Sequence, residues 1–400
     1  MNAAPNTFKG LEERLFYVVL ACGGAVVLAG LWAAHLMEEH GHAITGMHNQ
    51  VVWGVPHVFA IFMIVAASGV LNVASIGSVF GQAVYKQRAP LSVLLSIALL
   101  AGGLMVLMLD LGRPERVLVA ATHYNFRSVF AWNVFLYSGM FAILAIYLWT
   151  MFERRFNHHA KAVGVAALIW RFALTTGTGS IFGFLVARQA YQSAVLAPLF
   201  IVLSFAWGLA VFLIVQSAMQ AWNRQHVDAM VQRRLARLLG VFVAAALYLV
   251  AVYHLTNLYF ARQGAFEAFI LRDGGVFPLL FWAVYVGLGS LLPLLLVYHP
   301  SLGGKRSVLA AAALVVLGAF AFLYVFIIGG QVFPLDIFPG WQVSSSFRDG
   351  AITSYQARWP EVVLGVGGVG AAFVLTLIGV RVLDVLPHDD AAPAPAKQAS

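Results

Sequence analysis

Six ionisable side chains crowd into one short stretch. Asp110, Arg113, Glu115, Arg116, His123 and Arg127 fall between two long apolar segments of a chain in which only 10% of residues are charged. A carboxylate among arginines can exchange protons with a ligand, or it can pin a loop through an ion pair, and the residue types alone leave both readings open. Pro114 cannot continue a helix without losing a backbone hydrogen bond, and Gly112 relaxes the backbone before it. The apolar helix is therefore predicted to end near Asp110, which sets a carboxylate at a membrane boundary with Arg113 just beyond. His57 is the natural companion. It follows Trp53, Gly54 and Pro56 at the start of the preceding apolar segment, and antiparallel neighbours bring the start of one and the end of the next to comparable depth. An imidazole and a carboxylate at one depth can take and release protons.

The elements that position these groups are membrane helices. The chain has 400 residues, 61% of them hydrophobic, and a mean hydropathy of +0.85. This is too apolar for a water-soluble domain. A span needs about 20 apolar residues, and the sequence offers candidates near 15–36, 53–82, 91–111, 129–152, 162–186, 194–217, 238–260, 276–298, 307–330 and 361–383. The first is too long for a signal-peptide core and has no convincing cleavage site, so it is read as retained. Of the 24 Lys and Arg, 15 fall on the side of the N-terminus, 8 on the other, and Arg171 lies within a span. The positive-inside rule then predicts cytoplasmic termini, with the 109–128 link, the 37–52 loop and the 331–360 loop on the outer side. The same rule accounts for the net charge of +8 without a nucleic-acid partner. The single cysteine, Cys22, cannot build a disulfide, a thiolate-held cluster or a c-type haem site by itself, so such centres belong to partners.

Other polar groups sit at depth. Ser68, Asn72 and Ser75 form one stripe on span two, a pattern used to join helices as well as to carry protons. Arg171 in span five is costly in hydrocarbon and should face the bundle interior; its partner is not legible in the sequence. His254 lies near the outer end of span seven, at a depth similar to that of His57, which leaves bis-histidine ligation of one haem geometrically open. Glu38, Glu39, His40, His42 and His48 in the first outer loop could bind a metal, but no spacing fixes two of them on one helical face. Spans two to five and six to nine match in order, best between Trp132–Gly139 and Trp282–Gly289. An even number of helices per repeat predicts a pseudo-twofold axis along the membrane normal. The resulting architecture is all-α: ten transmembrane helices in two four-helix bundles, with a flanking helix at each end. The segments are a cytoplasmic N-terminus (1–14), a flanking helix (15–36), two bundles (53–186 and 194–330), a periplasmic loop (331–360), a second flanking helix (361–383) and a disordered tail (387–400). The 331–360 loop is long and apolar. It reads as a docking surface or lid anchored by Phe338, Trp341 and Phe347, or as a loop packed on its own helix ends.

These residues resemble the NrfD family, the membrane subunits that include the polysulfide reductase membrane protein. The resemblance rests on Trp53 and Gly54 opening span two, on Leu109 to Pro114 closing span three, and on Phe126, Arg127 and Ser128 leading to Trp132. It covers about residues 50–385. The ten-span length, the 123–132 run and the 338–350 loop look most like the ten-helix branch, in particular DsrP-type proteins of the sulfur-oxidising Dsr system. The resemblance implies a two-bundle fold and electron exchange between membrane quinone or quinol and a periplasmic iron–sulfur protein, with a multihaem cytochrome c as a further partner, in the lipid of a bacterial inner membrane. By motif it carries over to Trp53, Gly54, Asp110, Gly112, Arg113 and Pro114. His57 and Asp110 are then candidates for catalysis, and Trp53, Gly54, Arg113, Arg171 and His254 for cofactor binding; the roles of His57, Arg171 and His254 rest on depth and charge alone. No metal site is expected. The competing readings are a b-type cytochrome carrying haem b and a secondary transporter. The latter tends to break helices at equivalent positions of its two halves.

Overall fold

The fold is given by a computed structural model, which describes residues 11–223, 229–299, 301–302, 304–335, 350–383 and 385–386. Ten helices among these are long and apolar enough to cross a membrane: Glu13–Ile44, Val55–Val79, Ala89–Leu109, Val129–Phe152, Asn157–Gly183, Leu196–Trp222, Ala229–Tyr259, Val276–Tyr298, Lys305–Val332 and Trp359–Val382. They are numbered spans one to ten below. The described residues contain helices and no strand. Phe338, Trp341 and Phe347 and the 387–400 tail lie outside the described residues.

Span three ends as its sequence demands. Leu109 is its last residue, Asp110 the cap, and Gly112 takes a φ of 68° that a residue with a Cβ adopts at a cost. Span one departs from expectation. Its helix runs to His40 and continues as a 3-10 turn over Gly41–Ile44, so Glu38, Glu39 and His40 stand on a helix instead of in a loop. Nothing between Leu31 and His40 breaks a helix, and Gly41, with a φ of 66°, is the first residue that does.

Span two packs on spans three, six and ten; span six on seven and nine; four on five; and eight on nine. The terminal spans one and ten pair with each other, and ten lies against two and three. Without a hydrophobic driving force between helices in lipid, close approach through small residues does much of the joining. At the crossing of spans two and six, a Cβ on Gly69 would lie 1.6 Å from the Ser204 carbonyl oxygen, and one on Gly208 would lie 2.2 Å from the Gly69 carbonyl carbon. Gly30 meets Gly367 between spans one and ten, and Gly289 meets Gly318 between eight and nine.

The two stretches matched in sequence also make similar contacts. Each tryptophan ties its indole N–H to a carbonyl in the preceding link, Trp132 to Phe126 and Trp282 to Leu271, both at 2.9 Å. Gly139 and Gly289 each press on the following span, at Trp170 and Gly318. Span five is an unbroken α-helix through Thr175–Ser180. Span nine widens to a π-helix over Tyr324–Gly329 without leaving the helical path.

Candidate functional site

The site assembles where the start of span two meets the end of span three. Gly54 caps span two, with Pro56 in the first turn, where its missing N–H costs nothing. His57 then projects toward the end of span three. Its Nδ1 lies 2.8 Å from Asp110 Oδ2. The Asp110 side chain is 1% exposed and that of His57 14%. The contact has ion-pair distance but not hydrogen-bond alignment, and both Asp110 carboxylate oxygens lack a hydrogen-bond partner among the described residues. A buried carboxylate in that state calls for an explanation beyond packing.

Trp53 stacks on the His57 ring at 5.9 Å and 29°, and it also meets Phe130, Phe182 and Tyr191. The backbone that aims Trp53 is fixed by a residue not singled out from the sequence, the fully buried Gln331 of span nine. Gln331 Oε1 accepts from the N–H groups of Val52 and Trp53, and its Nε2 donates to the Trp53 and Ile327 carbonyls. Arg188 adds bonds to the carbonyls of Gln50 and Gln331. Glu361, buried at the start of span ten, accepts from the N–H groups of Gly46 and Arg358 and from the Tyr355 hydroxyl, and that hydroxyl accepts from the Val55 N–H. This explains Gly54. A Cβ there would lie 2.4 Å from Glu361 Oε1 and 2.8 Å from the Tyr355 hydroxyl. Burial, and behind it the Glu361 carboxylate, pushes the Tyr355 phenol above its ordinary range.

Of the sequence candidates, Trp53, Gly54, His57 and Asp110 come together. Arg113 does not join them. It is exposed, as is Arg116, and among the described residues the ion-pair partner of Asp110 is His57. Three residues past the helix end, with a glycine turn between, the Arg113 side chain is carried into solvent. His42 occupies the space beside Gly112 instead.

Arg171 also lies elsewhere. Its guanidinium donates to the Ser68 carbonyl at 3.1 Å and to Asn72 Oδ1 at 2.9 Å, and it stands over the rings of Phe172 and Phe205. The polar stripe of span two is thus its missing partner. Ser68 is eleven residues along from His57, about 16 Å at helical rise, so Arg171 belongs to the middle of the bundle and not to the His57 site.

His254 has its own carboxylate. Its Nδ1 is 2.7 Å from Glu267 Oε2, and Asn257 donates to Glu267 Oε1 at 2.7 Å. The two histidines are separated by a row of aromatic rings: Trp53 to Tyr191 (6.3 Å), Tyr191 to Phe326 (5.2 Å), Phe326 to Tyr253 (6.4 Å), with His57 and His254 at the ends. Each histidine thus turns its Nδ1 to a carboxylate of its own, and the two are linked through this row of ring contacts.

A family described as Polysulphide reductase, NrfD matches residues 43–335. The chain belongs to the NrfD family. Its relatives within or near that family extend over nearly the whole length. The Hdr-like menaquinol oxidoreductase integral membrane subunit of Archaeoglobus fulgidus is 28% identical over 386 residues, 95% of this chain and 97% of that one. A putative dimethyl sulfoxide reductase membrane subunit of Halobacterium salinarum is 27% identical over 402 residues, covering 92% and 90%. A selenate reductase subunit of Mesobacillus selenatarsenatis is 22% identical over 416 residues, covering 93% and 94%. Family membership agrees with the resemblance carried by Trp53, Gly54 and the Asp110–Pro114 turn.

Proposed function

We propose that the His57–Asp110 pair is the proton-handling centre of a quinone site at the outer face of the membrane. As an NrfD-family protein the chain is a quinone-interacting membrane subunit of an oxidoreductase complex. The observation that carries the assignment of the site is the Asp110 carboxylate, 1% exposed, beside His57 Nδ1 and with no hydrogen-bond partner among the described residues. A quinone or quinol requires an apolar slot for its ring and groups that bond its oxygens and move its protons. Trp53, Phe130 and Phe182 supply the apolar wall, and His57 backed by Asp110 supplies the exchangeable proton. In the oxidising direction quinol gives up two protons with its two electrons: each hydroxyl proton passes in turn to the His57 imidazole, the imidazolium so formed is stabilised by the Asp110 carboxylate, and it releases that proton to water before the next is taken.

The electrons leave the chain. With Cys22 as its single cysteine it cannot ligate an iron–sulfur cluster alone, so the partner that receives or donates them is an iron–sulfur subunit. We place that partner in the periplasm, with a multihaem cytochrome c beyond it, and both termini of this chain in the cytoplasm of a cell whose inner membrane it crosses; the uneven distribution of Lys and Arg supports this orientation. The 331–360 loop, apart from its ends that pack on this chain through Gln331, Ala351 and Tyr355, is read as its docking surface, and assignment to a Dsr-type sulfur-oxidising complex rests on that loop and the 123–132 run. The bundle limits 53–186 and 194–330, and a pseudo-twofold axis relating them, are part of the same reading, supported by the like bonds that Trp132 and Trp282 each make to the preceding link and the like contacts that Gly139 and Gly289 each make with the following span. Haem b is not part of the proposal. Copurification of the intact complex, extraction of its quinone and measurement of quinol-dependent reduction of the partner's redox centres test it. A complex that contains no quinone and is not reduced by quinol would refute it.

A further inference from the structure

The second half of the molecule contains a side-chain constellation that the proposed reaction does not use. His254 Nδ1 is bound at 2.7 Å to Glu267, whose side chain is fully buried, and Asn257 holds the other carboxylate oxygen. Taking a carboxylate out of water costs several kcal/mol unless its partners compensate, and an apolar pair of similar volume often serves stability as well or better. The cluster therefore asks for a role other than holding helices together.

Its chemistry repeats that of the first site. In both, a buried carboxylate lies against the Nδ1 of a histidine whose side chain is 14% (His57) or 11% (His254) exposed. In both, the opposite ring nitrogen, Nε2, makes no hydrogen bond among the described residues, and the imidazole keeps part of its surface exposed. At His254, where the carboxylate is hydrogen-bonded to Nδ1, it fixes the tautomer and aims the other nitrogen at whatever it is to bind. Both pairs sit at the outer ends of their spans. Asp110 caps span three, and Glu267 follows span seven, its counterpart in the sequence match.

A different observation marks the second pair as a site. It is flanked by two π-helical segments, Phe269–Asp273 beginning two residues after Glu267, and Leu280–Leu291, whose Phe281 meets the His254 ring edge to face at 4.8 Å. Such windings are less stable than α-helix and concentrate at functional positions. Around them Leu255, Leu258, Tyr259, Val276 and Leu279 present an exposed apolar surface, the surroundings through which a lipid-soluble ring would arrive.

We propose that His254, backed by Glu267, is a second binding site for a quinone head group, with the free Nε2 edge bonding one ring oxygen. The inference concerns binding and not turnover, and it rests on the quinone reading of the His57–Asp110 site. Tyr253, Tyr191 and Phe326 then form the wall between two head-group sites.

The test is a binding titration of the purified full chain in detergent with a short-tailed 1,4-naphthoquinone, counting only the fraction that unlabelled quinone displaces. The wild type should bind two equivalents. His254→Gln and Glu267→Gln should each lose one of them, and His57→Gln should lose the other. In parallel, the spectrum of protein labelled with 15N-histidine should show the His254 Nε2 resonance moving on addition of quinone, a readout that stands even if a variant fails to fold. One equivalent lost in His57→Gln and kept in folded His254→Gln, with the His254 resonance unmoved, overturns the second site and leaves the first intact. No displaceable quinone on the wild type overturns both.

Discussion

Replacing Asp110 by Asn keeps the side-chain shape and removes the charge, so it isolates what the carboxylate does for His57. When quinol hands a proton to the imidazole, a positive charge forms beside a carboxylate whose nearest oxygen is 2.8 Å from Nδ1. With charge centres about 4 Å apart and an effective dielectric constant of about 20, the attraction is about 4 kcal/mol. At 1.36 kcal/mol per decade this is about a thousandfold in rate if all of it is felt in the transition state. Partial charge transfer at the barrier lowers the expectation, and we predict that Asp110→Asn reduces quinol-dependent turnover of the intact complex by about 10²–10³, within the range found for positioned acid–base groups. The assay is steady-state reduction of the partner by quinol, on complex shown by copurification to be fully assembled. Turnover near wild type over the whole pH range would mean that the carboxylate only pins the turn, and the proton-handling argument would fail.

Three further outcomes are expected from the packing and the buried polar groups. Gly69→Ala places a methyl group 1.6 Å from the Ser204 carbonyl oxygen, so spans two and six must separate at a cost of about 3 kcal/mol; undiminished thermal stability in detergent would show that the crossing has slack. Arg171→Ala leaves Asn72 and the Ser68 carbonyl without their donor and opens a cavity, for a loss of about 2–4 kcal/mol; an unchanged melting temperature would mean that the cation is incidental to the bundle. Because the Tyr355 phenol is raised in the folded protein by burial and by Glu361, its contribution to stability is complete below the ordinary phenol value of 10.0 and is lost as pH rises above it. Tyr355→Phe should flatten the fall in melting temperature between neutral and strongly alkaline pH, and parallel profiles for the two proteins would contradict this.

The ten spans were legible because apolar runs of membrane length carry a signal that little else produces. The end of span three at Asp110 was legible from Gly112 and Pro114, and the common depth of His57 and Asp110 from helix direction alone. Direction gives depth and not azimuth, however. Arg113, adjacent in sequence, turned outward, and Arg171 found its partner on a stripe of span two that offered no charge to advertise the pairing. Glu267 was missed because it lies in a short helix beyond span seven, where no period connects it to His254. Gln331 and Glu361 were missed for a related reason. They bond to backbone N–H and carbonyl groups some 280 to 315 positions away in the chain, and backbone atoms leave no trace in residue type.

The crossing at Gly69 and Gly208 leaves no room for a side chain between spans two and six. Rolling span two over span six would have to lift the two backbones apart at this point and give up their contact. Alternating access of the transporter kind needs such rolling. A joint of this kind resists such motion as a rivet does, and it turns attention, for the step that paces turnover, to the arrival of a diffusing ring, the swing of single side chains and the docked partner.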